Sequence, residues 1–213
     1  MAKKPRHTRP MPPEELAYPT GTGDFVPAPE VVDWIHQVFV DKAGLLHNEE
    51  HQHLATADMG VLWTNAGCAR KGRRVIGMAE MPRIMGNHWH KARQELQIIN
   101  WFGYMPDFLI TLDATWCYQA TDLEFCALVE HELYHCAHER DAFGAPKFKR
   151  STGEPVYTIR GHDVEEFVGV VRRYGMGNPD GPLAKLVQAA ICEPEVAPLN
   201  ISHACGTCLQ RVA

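Results

Sequence analysis

The chain has 213 residues, of which 45% are hydrophobic, and a formal net charge of −5 with histidine neutral. That apolar content suits one domain with a real core and excludes a disordered polar chain. The acidic balance excludes a dedicated nucleic-acid coat, the seven scattered cysteines read as reduced thiols rather than a disulfide framework, and no apolar run reaches membrane-spanning length.

Residues 1–28 carry Pro5, Pro10, Pro12, Pro13, Pro19 and Pro27 with Lys3, Lys4, Arg6 and Arg9, which predicts a flexible, basic, Pro-rich arm. No apolar stretch follows its charges, so it is not a secretory signal, and a cytoplasmic location is expected. The main domain is expected over residues 29–191. Pro29 and Glu30 open an amphipathic helix with Val31, Val32, Trp34, Ile35, Val38 and Phe39 at helical spacing. The ligand-rich run from His47 to His53 lacks a tight metal pattern and reads as a polar helix end or loop. Residues 60–64 and 74–79 read as two strands joined by a basic hairpin turn at 69–73. A helix over 90–102 and a strand over 107–113 follow. After Asp141 comes a Gly/Pro-containing insert, with a hairpin expected between 147–150 and 156–159. A helix is expected from His162 to Tyr174, stopped by Gly175, and a short one over 182–192.

Between strand 107–113 and the insert lies the most informative run, His131-Glu132-Leu133-Tyr134-His135. It has the form HExxH. Leu123, Ala127, Leu128 and Val129 continue a helical apolar stripe, Thr121 is a natural N-cap, and neither Pro nor Gly interrupts residues 122–141. On a helix, residues four apart share a face, so His131 and His135 reach one metal ion. Glu132 points to the same site without being a ligand, placed to take a proton from water that the metal activates. A catalytic zinc takes three protein ligands and one open position. Asp141 is one candidate for the third, at the last place of a metzincin-type pattern. That pattern wants Gly where this chain has His138. The block Gly161-His162-Asp163-Val164-Glu165-Glu166-Phe167 offers His162, Glu165 or Glu166. A candidate not used as ligand is placed to orient His131 or His135.

HExxH followed by Gly-His-x-x-x-x-Phe is similar to the SprT-like zinc proteases. With Val171-Arg172-Arg173-Tyr174-Gly175 the chain resembles still more closely the phage metallopeptidases, over roughly residues 105–176. The resemblance implies that His162 is the third ligand and that the fold is α+β with a zincin or minigluzincin-like core. In such a core a small twisted sheet packs on the HExxH helix and a second, ligand-bearing helix. It also implies a phage or prophage origin, hence a host cytoplasm. In zincin folds the strand before the metal helix, here 107–113, is an edge that pairs with extended substrate. SprT-like members often have Gly after the third histidine. This chain has Asp163, which keeps a carboxylate ligand open.

The expected function is zinc-dependent hydrolysis of peptide bonds in a protein or peptide substrate, with Glu132 as general base. Tyr157 is a candidate for a further oxyanion donor, against a purely structural tyrosine. Near the C-terminus, Cys192, His203, Cys205 and Cys208 can form a second zinc clip over residues 192–213, a tail resembling half of a SprT-like zinc ribbon. Two rivals stand beside the enzyme. One is a non-catalytic zinc-binding phage interaction module, which has no need of Glu132. The other is a DNA-associated protein making weak contacts through Arg70, Lys71, Arg73, Arg74, Lys147, Lys149, Arg150 and the arm.

Overall fold

The computed structural model describes residues 8–19, 23–70, 72–164, 168–199 and 210–211. Strand β1 (Phe25–Pro27) leads into helix α1 (Pro29–Ile35), which opens on a proline and continues as a π-helical turn over His36–Val40. A 3-10 helix over Glu49–Thr56 follows, capped by the Asn48 side chain, which accepts from Glu50 N. Then come strand β2 (Met59–Thr64), the two-residue strands β3 (Ala69–Arg70) and β4 (Arg73–Arg74), and β5 (Gly77–Glu80). Helix α2 (His88–Phe102) starts on an Asn87 cap and ends at Gly103, whose φ of 82° requires a residue free of a Cβ. Strand β6 (Phe108–Asp113), the short helix α3 (Ala114–Gln119) and the long helix α4 (Asp122–His135) form the centre of the chain. Strands β7 (Cys136–His138) and β8 (Tyr157–Ile159) pair with each other, helices α5 (Val168–Tyr174) and α6 (Pro182–Ile191) follow, and β9 (Gln210–Arg211) pairs with β4.

The architecture is mixed α+β. The main sheet has the order β1-β2-β6-β5, with β2 parallel to β6 and both outer pairs antiparallel. The two strands expected to form one hairpin are therefore not neighbours, because β6 lies between them. The chain between them makes its own small hairpin, β3–β4. Strand β6 is paired on both sides, as a run apolar on both faces requires, so the 107–113 segment is central. The edge is β5.

Strand alternation divides the sheet into two faces. Met59, Val61, Trp63, Phe108, Ile110 and Leu112 point into one core with Trp34 of α1 and Phe125, Leu128 and Leu133 of α4. The Trp34 and Phe125 rings meet there at 5.2 Å. Helix α4 has a capping box: Thr121 accepts from Glu124 N while the Glu124 carboxylate accepts from Thr121 N. It stops at His135 rather than running on to Asp141. Cys136 is 1% exposed and extended, its carbonyl accepts from His53 Nε2 at 2.7 Å, and the backbone turns into the β7–β8 ladder. The expected hairpin is present in shortened form: Phe148 bridges Pro155, Lys149 N donates to the Glu154 carbonyl and Val156 N to the Lys147 carbonyl, whereas Tyr157–Ile159 pairs with β7 instead.

Over its described residues the N-terminal arm is docked rather than free. Leu16 is 1% exposed in the core, and Arg9 is 8% exposed at the start of α4. The Arg9 guanidinium donates to Asp122 Oδ1 at 2.8 Å and to the carbonyls of Cys117 and Ala120, and it lies 5.1 Å from the centre of the Phe125 ring. This charge closes the α3–α4 corner, whose carbonyls have no helical partner. Among the described residues no helix is long and apolar enough to cross a membrane. Replacing Arg9 with Ala leaves two corner carbonyls unpaired, and urea unfolding should show a loss of about 1–3 kcal/mol. A loss near zero would return residues 8–19 to the status of a loose arm.

Candidate metal centre

Helix α4 buries residues 125, 128, 129, 132 and 133, a stripe of helical period, and four of these are apolar. The fifth is Glu132, fully buried at 0% exposure. His131 and His135 flank this stripe one turn apart, half-buried at the rim of the core. The same helical period that packs the core therefore directs both imidazoles to one side.

The third imidazole arrives through the β7–β8 ladder. Cys136 pairs with Ile159, and one step further Arg160 N donates to the His135 carbonyl at 2.9 Å. The His135 ring returns the contact, Nδ1 donating to Arg160 O at 2.6 Å. A carbonyl only accepts, so Nδ1 carries the proton and Nε2 keeps its lone pair. His162, two residues on, then lies with Nε2 at 3.2 Å from His131 Nε2, and His135 Nε2 is also 3.2 Å from it. The ligand atoms of all three lie within 4.8 Å of one another, and no other such group of His, Cys, Asp or Glu occurs among the described residues. Nitrogens about 2.0–2.1 Å from a tetrahedral metal stand roughly 3.3 Å apart, so two of the three separations fit. Burial, then the neighbouring His135 and His162, lowers the His131 pKa to about 4, which keeps that ring neutral and able to bind a cation.

Glu132 is the second element of the site. Burial raises its pKa to about 7, against a smaller opposing effect of the Ala79 backbone. That backbone lies close enough to favour the ionised form, yet neither carboxylate oxygen has a hydrogen bond of normal geometry. Room for the carboxylate comes from Gly77 at the start of β5. A Cβ there would lie 2.8 Å from Glu132 Oε1 and 2.9 Å from Leu128 Cδ1. Gly77 is the site residue that sequence reasoning passed over. A lone glycine inside an apolar strand pattern is a signal of close approach, and it was available.

The remaining candidates separate clearly. His162 is not helical, and the helix expected to begin there is described only from Val168. Asp141 is exposed and accepts from Phe143 N and Ala145 N in a turn, outside the histidine cluster. Glu165 and Glu166 lie outside the described residues, as do His203, Cys205 and Cys208 of the expected clip; Cys192 is exposed. Asp163 pairs with Arg160, whose carbonyl holds His135, and this gives the non-glycine residue a positioning role. Tyr157 is buried, its Oη 3.3 Å from Thr56 Oγ1 and its ring against Phe108, which is a structural placement. Several cations of the expected basic patch are matched within the chain: Arg74 with Asp113, Lys147 with Glu139, Lys149 with Glu154 and Arg9 with Asp122.

Three convergent imidazoles form a centre able to hold a single metal ion, and the residue that follows the first of them on α4 is a buried carboxylate. The family described as putative phage metallopeptidases matches residues 32–191, about three-quarters of the chain, and the chain belongs to it. No curated protein and no solved structure matches.

The buried carboxyl predicts a pH signature in metal-free protein. Its folded pKa of about 7 lies above the ordinary 4.5, so the folded state is at full strength below 4.5 and loses stability as pH rises through 7. Glu132→Gln removes that loss. The variant should match wild type at pH 4.5 and exceed it at pH 8 by on the order of 2–3 kcal/mol in urea unfolding. An equal difference at both values would place Glu132 in a solvated site.

Proposed function

We propose that the protein is a zinc-dependent metallopeptidase with a minigluzincin-like core of SprT-like type, in which His131, His135 and His162 hold one zinc ion and Glu132 is the general base. The observation that carries this reading is the convergence of three imidazoles, two of them on the helix that also buries the Glu132 carboxylate. Nothing in a structural metal site calls for Glu132, and burying it costs stability. Zinc, when bound, supplies a Lewis acid that polarises a carbonyl and acidifies water.

The chain's own groups do the rest. A carboxylate held in an apolar setting is more basic than a solvated one, so Glu132 is suited to accept a proton from water and give it to the leaving amine. Gly77 and the surrounding apolar side chains keep the carboxylate out of bulk water and fix its place. The Arg160 carbonyl fixes the tautomer of His135. Among the described residues strand β5 pairs only with β6, so its outer edge is open to an extended peptide backbone next to Glu132. The substrate is accordingly a protein or peptide presented as a strand. The setting is a phage-infected host cytoplasm, where exposed thiols such as Cys68 and Cys192 stay reduced.

Elemental analysis of wild type and His162→Ala, with hydrolysis of an unfolded protein substrate, tests the reading. Wild type should bind one zinc at this site and His162→Ala should lose it. Glu132→Gln should keep the zinc and lose about 10²–10⁴-fold in turnover. Full activity in Glu132→Gln would remove the base from the scheme, and wild type without zinc after metal addition would overturn the whole reading.

A further inference from the structure

A sizeable concavity lies away from the histidine cluster. A cavity of about 700 Å³ lies on the other face of the main sheet, under α2. It exists because α2 is held mainly by its C-terminal end: Ile98 is its buried residue, while the turns before it stand exposed. Its walls are apolar, with Phe25, Leu62, Met78, Ile98, Trp101 and Leu109 among them, and its size falls in the range of ligand pockets.

Polar side chains also line it: Thr64, Glu80, Arg83, Gln94, Gln97 and Thr111. Glu80 is half-buried and makes no hydrogen bond or ion pair among the described residues. Desolvation raises its pKa, the expected response of a carboxyl without a partner. Arg83, the opposing charge in the lining, donates to the Met81 sulfur at 3.9 Å and forms no ion pair with Glu80 among the described residues.

Strand β5 joins the cavity to the metal site. Gly77 packs on Glu132 from one face, whereas Met78 and Glu80 line the cavity from the other. A peptide pairing with the open edge of β5 sends successive side chains to opposite faces of the sheet. One set points toward the histidines. The alternate set points toward the cavity, where apolar walls accept an aliphatic stem and Glu80 accepts a cation. Lys and Arg have this construction.

We propose that this cavity is a side-chain subsite for a peptide strand lying on β5, selecting Lys or Arg through Met78 and Glu80. The proposal rests on the reading of the metal site as a peptidase. Its test is calorimetric titration of metal-free full-length protein, so that nothing is cleaved, with blocked pentapeptides Val-Thr-X-Thr-Val in which X is Lys, norleucine or Glu. The Lys peptide should bind about tenfold or more tightly than the other two. Glu80→Gln should bring Lys and norleucine level, and Arg83→Gln should preserve or increase the preference for Lys. Equal binding of Lys and norleucine to wild type, tightest binding of the Glu peptide, or a Lys preference that survives Glu80→Gln would overturn the subsite. Zinc-loaded protein is assayed separately on the same peptides and on unfolded protein. A Lys preference with no hydrolysis overturns the peptidase reading alone, and hydrolysis with no Lys preference overturns the subsite alone.

Discussion

A carboxylate placed in the apolar stripe of a core helix is the constraint on which the centre of this protein depends. Phe125, Leu128, Val129 and Leu133 hold α4 against the sheet, and each is fully buried. Full burial of such side chains contributes about 1.5–3 kcal/mol apiece, enough to carry one polar misfit in the same stripe. Glu132 is that misfit. Because the apolar residues on both sides fix the helix, the carboxylate cannot rotate away to water, and its pKa rises instead. The sheet yields in turn: the residue facing it has no side chain, and any Cβ at Gly77 would collide with it.

The histidines depend on a different and more local device. Two come free with the helical period, but the third must be brought from a distant part of the chain. The β7–β8 ladder does this by extending the backbone directly out of α4 and returning it in antiparallel register, so that residue 160 lies against residue 135. Two hydrogen bonds between those residues then set both the position of the returning strand and the tautomer of a ligand candidate. Arg160 is further tied through its side chain to Asp163, directly after His162, and lies 3.8 Å from Glu50. Charge pairs this exposed contribute little to global stability. Their value is in limiting how far the His162 segment can move.

What was legible in the sequence follows from the range of the interactions involved. The HExxH run, the Thr121 cap and the amphipathic α1 and α2 are local, and periodicity or spacing within a dozen residues reveals them. The positions of β2 and β5 were legible too, but their pairing was not. Inserting β6 between them is a decision of the whole sheet, and an apolar run such as Phe108–Asp113 reads the same at a centre or at a covered edge. The end of α4 was misread because Ala137, His138 and Glu139 are compatible with helix, and the ladder that overrides them is completed only by residues 157–159. The docking of Arg9 was hidden for the same reason: its partners, the Cys117 and Ala120 carbonyls, lie more than a hundred positions away. Polar and Pro-rich composition describes an arm but does not say what it lies against.

The two edges of the main sheet differ in how they are guarded against unwanted pairing. Unpaired edges invite association with any other strand, and proteins usually blunt them. At one edge β1 is three residues long and ends in Pro27, which has no N–H to offer. At the other, β5 is four residues long and contains no proline, so its backbone groups remain available. It carries a different safeguard. Glu80 places an unmatched carboxyl on the strand, which penalises a purely apolar partner strand there, while a strand that brings a cation to the same place meets no such penalty. The proposed docking of a peptide strand uses this asymmetry, because one strand, β5, packs on Glu132 from one face and lines the cavity from the other.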